Sequence, residues 1–167
     1  NILELSRDNN IKHLIFASSS SVYGQSKKFP LTEKTETSKP LSMYAASKKT
    51  NEVMAYSYSN IYKLPITGLR FFTVYGPFGR PDMALFKFSN NIKKNYPIEL
   101  FNYGKHYRDW TYIDDAVSYI VKIISKPSLN KVPFEIYNIG NSKPEKLINF
   151  VKFIEYKFSK KAKILMK

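Results

Sequence analysis

Three short apolar runs, "HLIFASSS" (13–20), "ITGLRFF" (66–72) and "FEIYNIG" (134–140), stand apart along the chain with helix-favouring stretches between them. Runs of this length, breaking into serine or glycine, are what strands buried on both faces of a parallel sheet look like. The stretches from Tyr44 to about Tyr62 and from Asp114 to Lys126 contain neither proline nor glycine and predict helices. Two acids open the second, where they suit the positive end of a helix. Alternation of this kind predicts an α/β layered fold with a parallel sheet. The rest fills in around it: a helix end at 1–10, a loop at 24–42, a Gly/Pro-dense loop "TVYGPFGRPD" (73–82), a helix from Ala84 to Lys94, a strand "IELFN" (98–102) and a helix at 144–159.

In open parallel sheets ligands bind beyond the carboxyl ends of the strands. The serine run and "TVYGP" both follow predicted strands, so both fall where such a fold places its chemistry.

Composition narrows the function classes. A net charge of +14 invites a nucleic-acid reading, but only four of the 27 basic residues are arginine (Arg7, Arg70, Arg80, Arg108). Phosphate and base readers favour the arginine fork, and the lysines here are scattered rather than clustered. Nucleic acid is therefore the weaker expectation. The chain has no cysteine, which excludes disulfides and thiolate metal sites and fits a reducing, cytoplasmic setting. No apolar run is long enough to cross a bilayer, and the opening "NILELSRDNN" has neither the charge nor the apolar middle of a signal peptide. It also lacks an initiator methionine, so the expectation is a chain that begins inside a longer protein.

"YAASK" (44–48) places Tyr44 and Lys48 four residues apart, on one face of a helix. A fixed ammonium beside a phenol favours the phenolate, which would make Tyr44 a general base toward an alcohol. The serine loop supplies hydroxyls to orient such a substrate. Alone, a Tyr-x-x-x-Lys pair is common by chance and more often means an ordinary helix surface.

Taken together, "SSSSVYG", "YAASKK" followed by "NE", "GLRFFTVYGP", "GRPDMA" and "RDWTYIDD" resemble the extended short-chain dehydrogenase/reductase family of NAD-dependent sugar-nucleotide epimerases and dehydratases. Within it the likeness is greatest to the 4-epimerases that act on UDP-glucuronate. The resemblance implies a Rossmann-type doubly wound sheet with part of a smaller substrate-binding subdomain. Residues 1–80 would form the second half of the NAD domain. Residues 81–167 would be mixed substrate-binding segments with a returning strand and helix.

The resemblance also implies roles. Ser19 would hydrogen-bond the reacting hydroxyl, Tyr44 would be the base, and Lys48 its partner and a holder of the nicotinamide ribose. Ala17, Ser18, Phe71 and Phe72 would contact NAD. Thr73 would contact the sugar, Arg80 the glucuronate carboxylate and Arg108 the UDP phosphates. An arginine fork suits both anions. Without the resemblance, Arg80 would read as a surface ion pair and Arg108 as a local pair with Asp109. Dehydratases of this family carry an Asp–Glu pair before "VYG", and decarboxylases a glutamate. Ser20 and Ser21 stand there instead, which points to epimerisation. A homodimer would be expected by the same analogy.

One departure is large. The six glycines never take the spacing of a dinucleotide-binding turn, so the pyrophosphate anchor is missing. "KAKILMK" also stops before the family's last segments. The expectation is an internal fragment of a longer enzyme, poorly stable alone because a sheet edge and apolar helix faces are left uncovered. The alternatives are a neutral-sugar 4-epimerase, for which Arg80 has no carboxylate to meet, and a non-catalytic remnant.

Overall fold

The computed structural model describes residues 1–26 and 29–167; of the predicted 24–42 loop, Lys27 and Lys28 lie outside the described residues. The chain divides into two compact units. The first comprises residues 1–72 and 115–139, the second residues 73–114 and 140–167.

The first unit is built on three parallel strands, β1 (Leu14–Ser19), β2 (Ile66–Phe71) and β6 (Phe134–Ile139), in the order β1-β2-β6. Residues 66–70 of the central strand are all buried, as a strand covered on both faces must be. Gly68 makes this sheet possible. A Cβ there would come within 2.5 Å of Ile136 Cδ1 and 2.8 Å of Phe16 Cζ, so the neighbouring strands' side chains occupy its space.

Helix α1 (Ile2–Asp8) precedes β1, and α2 (Met43–Tyr62) connects β1 to β2. Ser42 sets the start of α2: in extended conformation, its hydroxyl accepts from Ala45 N at 3.1 Å. Lys63, left-handed at φ 54°, ends it. Ala45, Ala55 and Ser59 are the small buried residues that let α2 approach the sheet closely, and Ala55, Leu64 and Ile66 centre the apolar core with Leu3, Leu14, Phe16 and Phe134 around them. Helix α4 (Ile113–Ile124) leads back to β6.

The second unit holds β3 (Thr73–Tyr75), α3 (Ala84–Lys93), β4 (Pro97–Leu100), β5 (Tyr107–Tyr112), β7 (Pro144–Lys146), α5 (Leu147–Phe158) and β8 (Lys163–Met166). β3 and β5 run parallel, β7 joins β5 antiparallel, and β4 pairs with β8 in parallel. Its core is Phe88, Ile92, Ile98, Leu100, Val151 and Ile154. Trp110 stacks on Phe150 with centroids 4.2 Å apart.

Several sequence expectations need correction in this unit. The start of the "TVYGPFGRPD" loop is a short strand, because Thr73–Tyr75 finds a ladder partner in Trp110–Tyr112. "RDWTY" is a strand that no sequence signal marked. Strand β4 stops at Leu100, where Asn102 and Tyr103 turn left-handed. The last helix begins at Leu147 rather than 144, since Pro144–Lys146 pairs with β5. The C-terminal "KILM" is also a strand, stabilised by a partner 66 positions away at Pro97–Leu100.

Candidate functional site

The carboxyl end of β1 runs directly into a single helical turn, Ser20–Tyr23. Ser19 is the hinge between them. Its Oγ accepts from Ser21 N at 3.2 Å, which caps the turn, and donates to Ser21 Oγ at 3.1 Å. The Ser19 hydroxyl proton is therefore shared with a neighbouring serine.

Across from this end stands the first part of α2. Lys48 Nζ donates to Ala17 O at 2.9 Å and lies 5.8 Å from the centroid of the Tyr44 ring. Tyr44 itself is exposed. The lysine bond ties α2 to the last residues of β1, and so gathers Ala17, Ser18, Ser19, Tyr44 and Lys48 at one strand end. Phe71 and Phe72, half-buried, close the end of neighbouring β2, where Phe72 N donates to Ile139 O at 3.0 Å.

Ser18 is turned inward. Its hydroxyl donates to Glu52 Oε1 at 2.6 Å, which leaves the backbone of this residue, rather than its side chain, for any contact with a ligand. Behind it lies a buried polar cluster. Arg70 grips Glu52 through Nε–Oε1 and Nη2–Oε2 bonds of 2.8 Å each. Its Nη1 donates to the Tyr23 hydroxyl at 2.9 Å, and that hydroxyl donates to Asn138 Oδ1 at 2.6 Å. Burial alone would raise the Glu52 carboxyl, but the hydrogen bonds from Arg70 and Ser18 and the nearby positive charges outweigh it and hold the group below its ordinary value. Burial pushes the Tyr23 phenol up, only partly offset by Arg70. Sequence reading missed this cluster. Its one visible signal was an arginine inside the apolar run "ITGLRFF", which demands a buried partner.

Thr73, Arg80 and Arg108 belong to the second unit. Thr73 opposes Trp110, two residues beyond Arg108 on β5. Arg80 is exposed and holds Asp82 through two bonds, from Nε at 3.1 Å and from Nη2 at 2.5 Å. The local pair of Arg108 with Asp109 does not form. Asp109 instead accepts from the backbone of Asn141 and Ser142, at 2.9 Å each.

The nicotinamide end of a dinucleotide suits the first unit. An ammonium has three protons, and Lys48 gives one to Ala17 O, which leaves others for a ribose diol. The pyrophosphate end finds no glycine-rich turn among the residues of this chain. Among the described residues no group of His, Asp and Glu could hold a metal ion, and no helix is long and apolar enough to cross a membrane.

A parallel α/β sheet with serine, tyrosine and lysine gathered at one strand end defines a Rossmann-type dehydrogenase-like fold. Residues 1–140 match the model of the NAD dependent epimerase/dehydratase family, and the chain belongs to that family. It is 50% identical to Protein CapI of Staphylococcus aureus, over 98% of this chain and 53% of that protein. It is 44% identical to a probable UDP-glucuronate 4-epimerase of Rhizobium meliloti (strain 1021), over 93% of this chain and 50% of the relative. Among solved structures, the UDP-glucuronic acid 4-epimerase of Bacillus cereus, in complex with UDP-glucuronic acid and NAD, superposes with a TM-score of 0.90 at 31% identity, covering 99% of this chain and 51% of that one. The chain spans about half the length of the curated relatives it matches.

Proposed function

We propose that the whole protein is an NAD-dependent 4-epimerase of a UDP-sugar, and that the sugar is glucuronate, converted to galacturonate through a 4-keto intermediate. The observation that carries this reading is the pairing of Tyr44 and Lys48 on one face of α2, with Lys48 fastened to Ala17 O beside the Ser19 turn. Relatives bearing the UDP-glucuronate 4-epimerase name support the sugar.

In this reading Tyr44 takes the proton of the sugar 4-hydroxyl and later returns it. Ser19 turns its hydroxyl from Ser21 to the same oxygen and orients it. Lys48 holds the nicotinamide ribose and keeps a positive charge beside the phenol. Ala17 and Ser18 offer backbone, and Phe71 and Phe72 apolar walls, to the cofactor. When bound, NAD would supply a hydride acceptor and donor for C4, with the 4-keto sugar turning between the two transfers so that C4 is inverted. Thr73 contacts the sugar, Arg80 leaves Asp82 for the substrate carboxylate, and Arg108 meets the phosphates. Ser20 and Ser21 offer no carboxyl group for water loss or decarboxylation, which favours epimerisation. By analogy with relatives, α2 also contributes to a homodimer.

The test is incubation of the purified whole protein with UDP-glucuronate, with the sugar product followed by NMR. The expected result is an equilibrium mixture with UDP-galacturonate. Turnover of UDP-glucose in preference would replace glucuronate by a neutral sugar, and no turnover of either would overturn the assignment.

A further inference from the structure

Along α2, Tyr44, Lys48 and Glu52 follow at intervals of four and form one stripe, exposed at Tyr44 and buried at Glu52. Two members of the stripe bond consecutive residues of β1. Lys48 Nζ reaches Ala17 O at 2.9 Å, and Glu52 Oε1 receives the Ser18 hydroxyl at 2.6 Å. Arg70, which grips Glu52, lies directly opposite Ser18 in the β1–β2 register and directly opposite Asn138 in the β2–β6 register. Tyr23 closes the set by joining Arg70 to Asn138. One rung of the sheet is thus polar across all three strands and hydrogen-bonded throughout, between rungs carrying Leu69 and Phe71.

Stability does not explain this rung. A buried ion pair stabilises little or nothing relative to apolar residues of similar volume. What it supplies is direction. The apolar contacts of α2 include Ala45 and Ala55, small side chains that tolerate rotation of the helix about its axis, whereas hydrogen bonds weaken steeply when misaligned.

We propose that Glu52, held by Arg70, is a positioning residue. It fixes the rotation and height of α2 against β1, so that Lys48 and Tyr44, one and two turns earlier, stand at the strand end beside Ser19. This rests on the reading that Tyr44 and Lys48 act together on bound substrate, and it is independent of which sugar is bound.

The test uses the whole enzyme and two variants. Glu52→Gln breaks the ion pair. Glu52→Leu combined with Arg70→Met replaces it with apolar volume and recovers much of the stability lost in the first. Three quantities are read: the thermal midpoint, kcat and KM per folded site, and the acetylation rate of Lys48 relative to exposed Lys131 by mass spectrometry. In both variants kcat should fall by about ten- to a hundredfold, the scale of a small misplacement, while KM stays within about twofold. Lys48 should label several-fold faster in both. The decisive case is the double variant, in which the midpoint recovers but kcat and labelling do not. Should kcat and Lys48 labelling return to parent values with the midpoint, Glu52 and Arg70 are structural only and the proposal is overturned. If the parent enzyme turns over no UDP-sugar, the proposed function falls, and Lys48 labelling still decides the positioning role.

Discussion

Glu52 and Arg70 meet fork to fork, with two parallel bonds of 2.8 Å and side chains only 4% and 5% exposed. The geometry joins α2 to β2 by a helix charge facing a strand charge inside the first unit. Because the folded state holds the Glu52 carboxyl below its ordinary value of 4.5, the pair's contribution is fully present above that pH and is lost as pH falls below it. Glu52→Gln strands a buried guanidinium and should cost about 3–5 kcal/mol near neutral pH. Urea unfolding of parent and variant should show that gap shrinking below pH 4.5, as the parent's own carboxylate is protonated. A gap that stays constant with pH would contradict the assignment.

Gly68 should resist substitution. An added methyl group would press on Ile136 and Phe16 from the middle of β2. Gly68→Ala is expected to lower unfolding free energy by about 1–3 kcal/mol, as overpacked cores do, with KM unchanged. Denaturant titration beside steady-state kinetics checks both halves of the expectation.

The parts of this fold that sequence showed are those that a single segment dictates. Strands β1, β2 and β6 each contain a short apolar run, with β2 buried along residues 66–70, and α2 is long and uninterrupted. The short strands β3, β7 and β8 carry no such pattern. Thr73–Tyr75 and Lys163–Met166 become strands only because partners distant in sequence present free backbone to them. The site divides in the same way. Tyr44 and Lys48 are visible as a four-residue spacing, whereas the Lys48 bond to Ala17 O spans 31 positions and the Tyr23 bond to Asn138 spans 115. Arg70 sits as a charge in an apolar run, but nothing local says that Glu52 answers it.

Arg80 should separate acidic from neutral sugars. Its ion pair with Asp82 is exposed and solvated. Arg80→Ala should leave the melting curve unchanged and raise KM for UDP-glucuronate by about tenfold or more, the equivalent of one lost charge-assisted contact. KM for UDP-glucose should not move. Equal effects on both substrates would assign Arg80 elsewhere.

Residues 1–167 by themselves should self-associate. Among the described residues the outer edge of β1 has no strand partner, and beside it runs a groove of about 760 Å³ with Leu3, Leu14, Phe16 and Met54 in its walls. Ile2 and Leu5 of α1 are 70% and 60% exposed. Unpaired edges and apolar faces together favour association. Sedimentation velocity should find oligomers at micromolar concentration; a monomer with a sharp cooperative melt would contradict this.

The central claim is that Tyr44 is the proton-transferring group of an epimerase, and its hydroxyl is the atom to remove. Tyr44→Phe in the whole protein keeps the ring beside Lys48 and deletes only the oxygen. Epimerisation of UDP-glucuronate, followed by NMR, should fall by about 10²–10⁴-fold, the usual share of a positioned acid–base group, with the melting curve retained. Activity close to that of the parent would contradict the account.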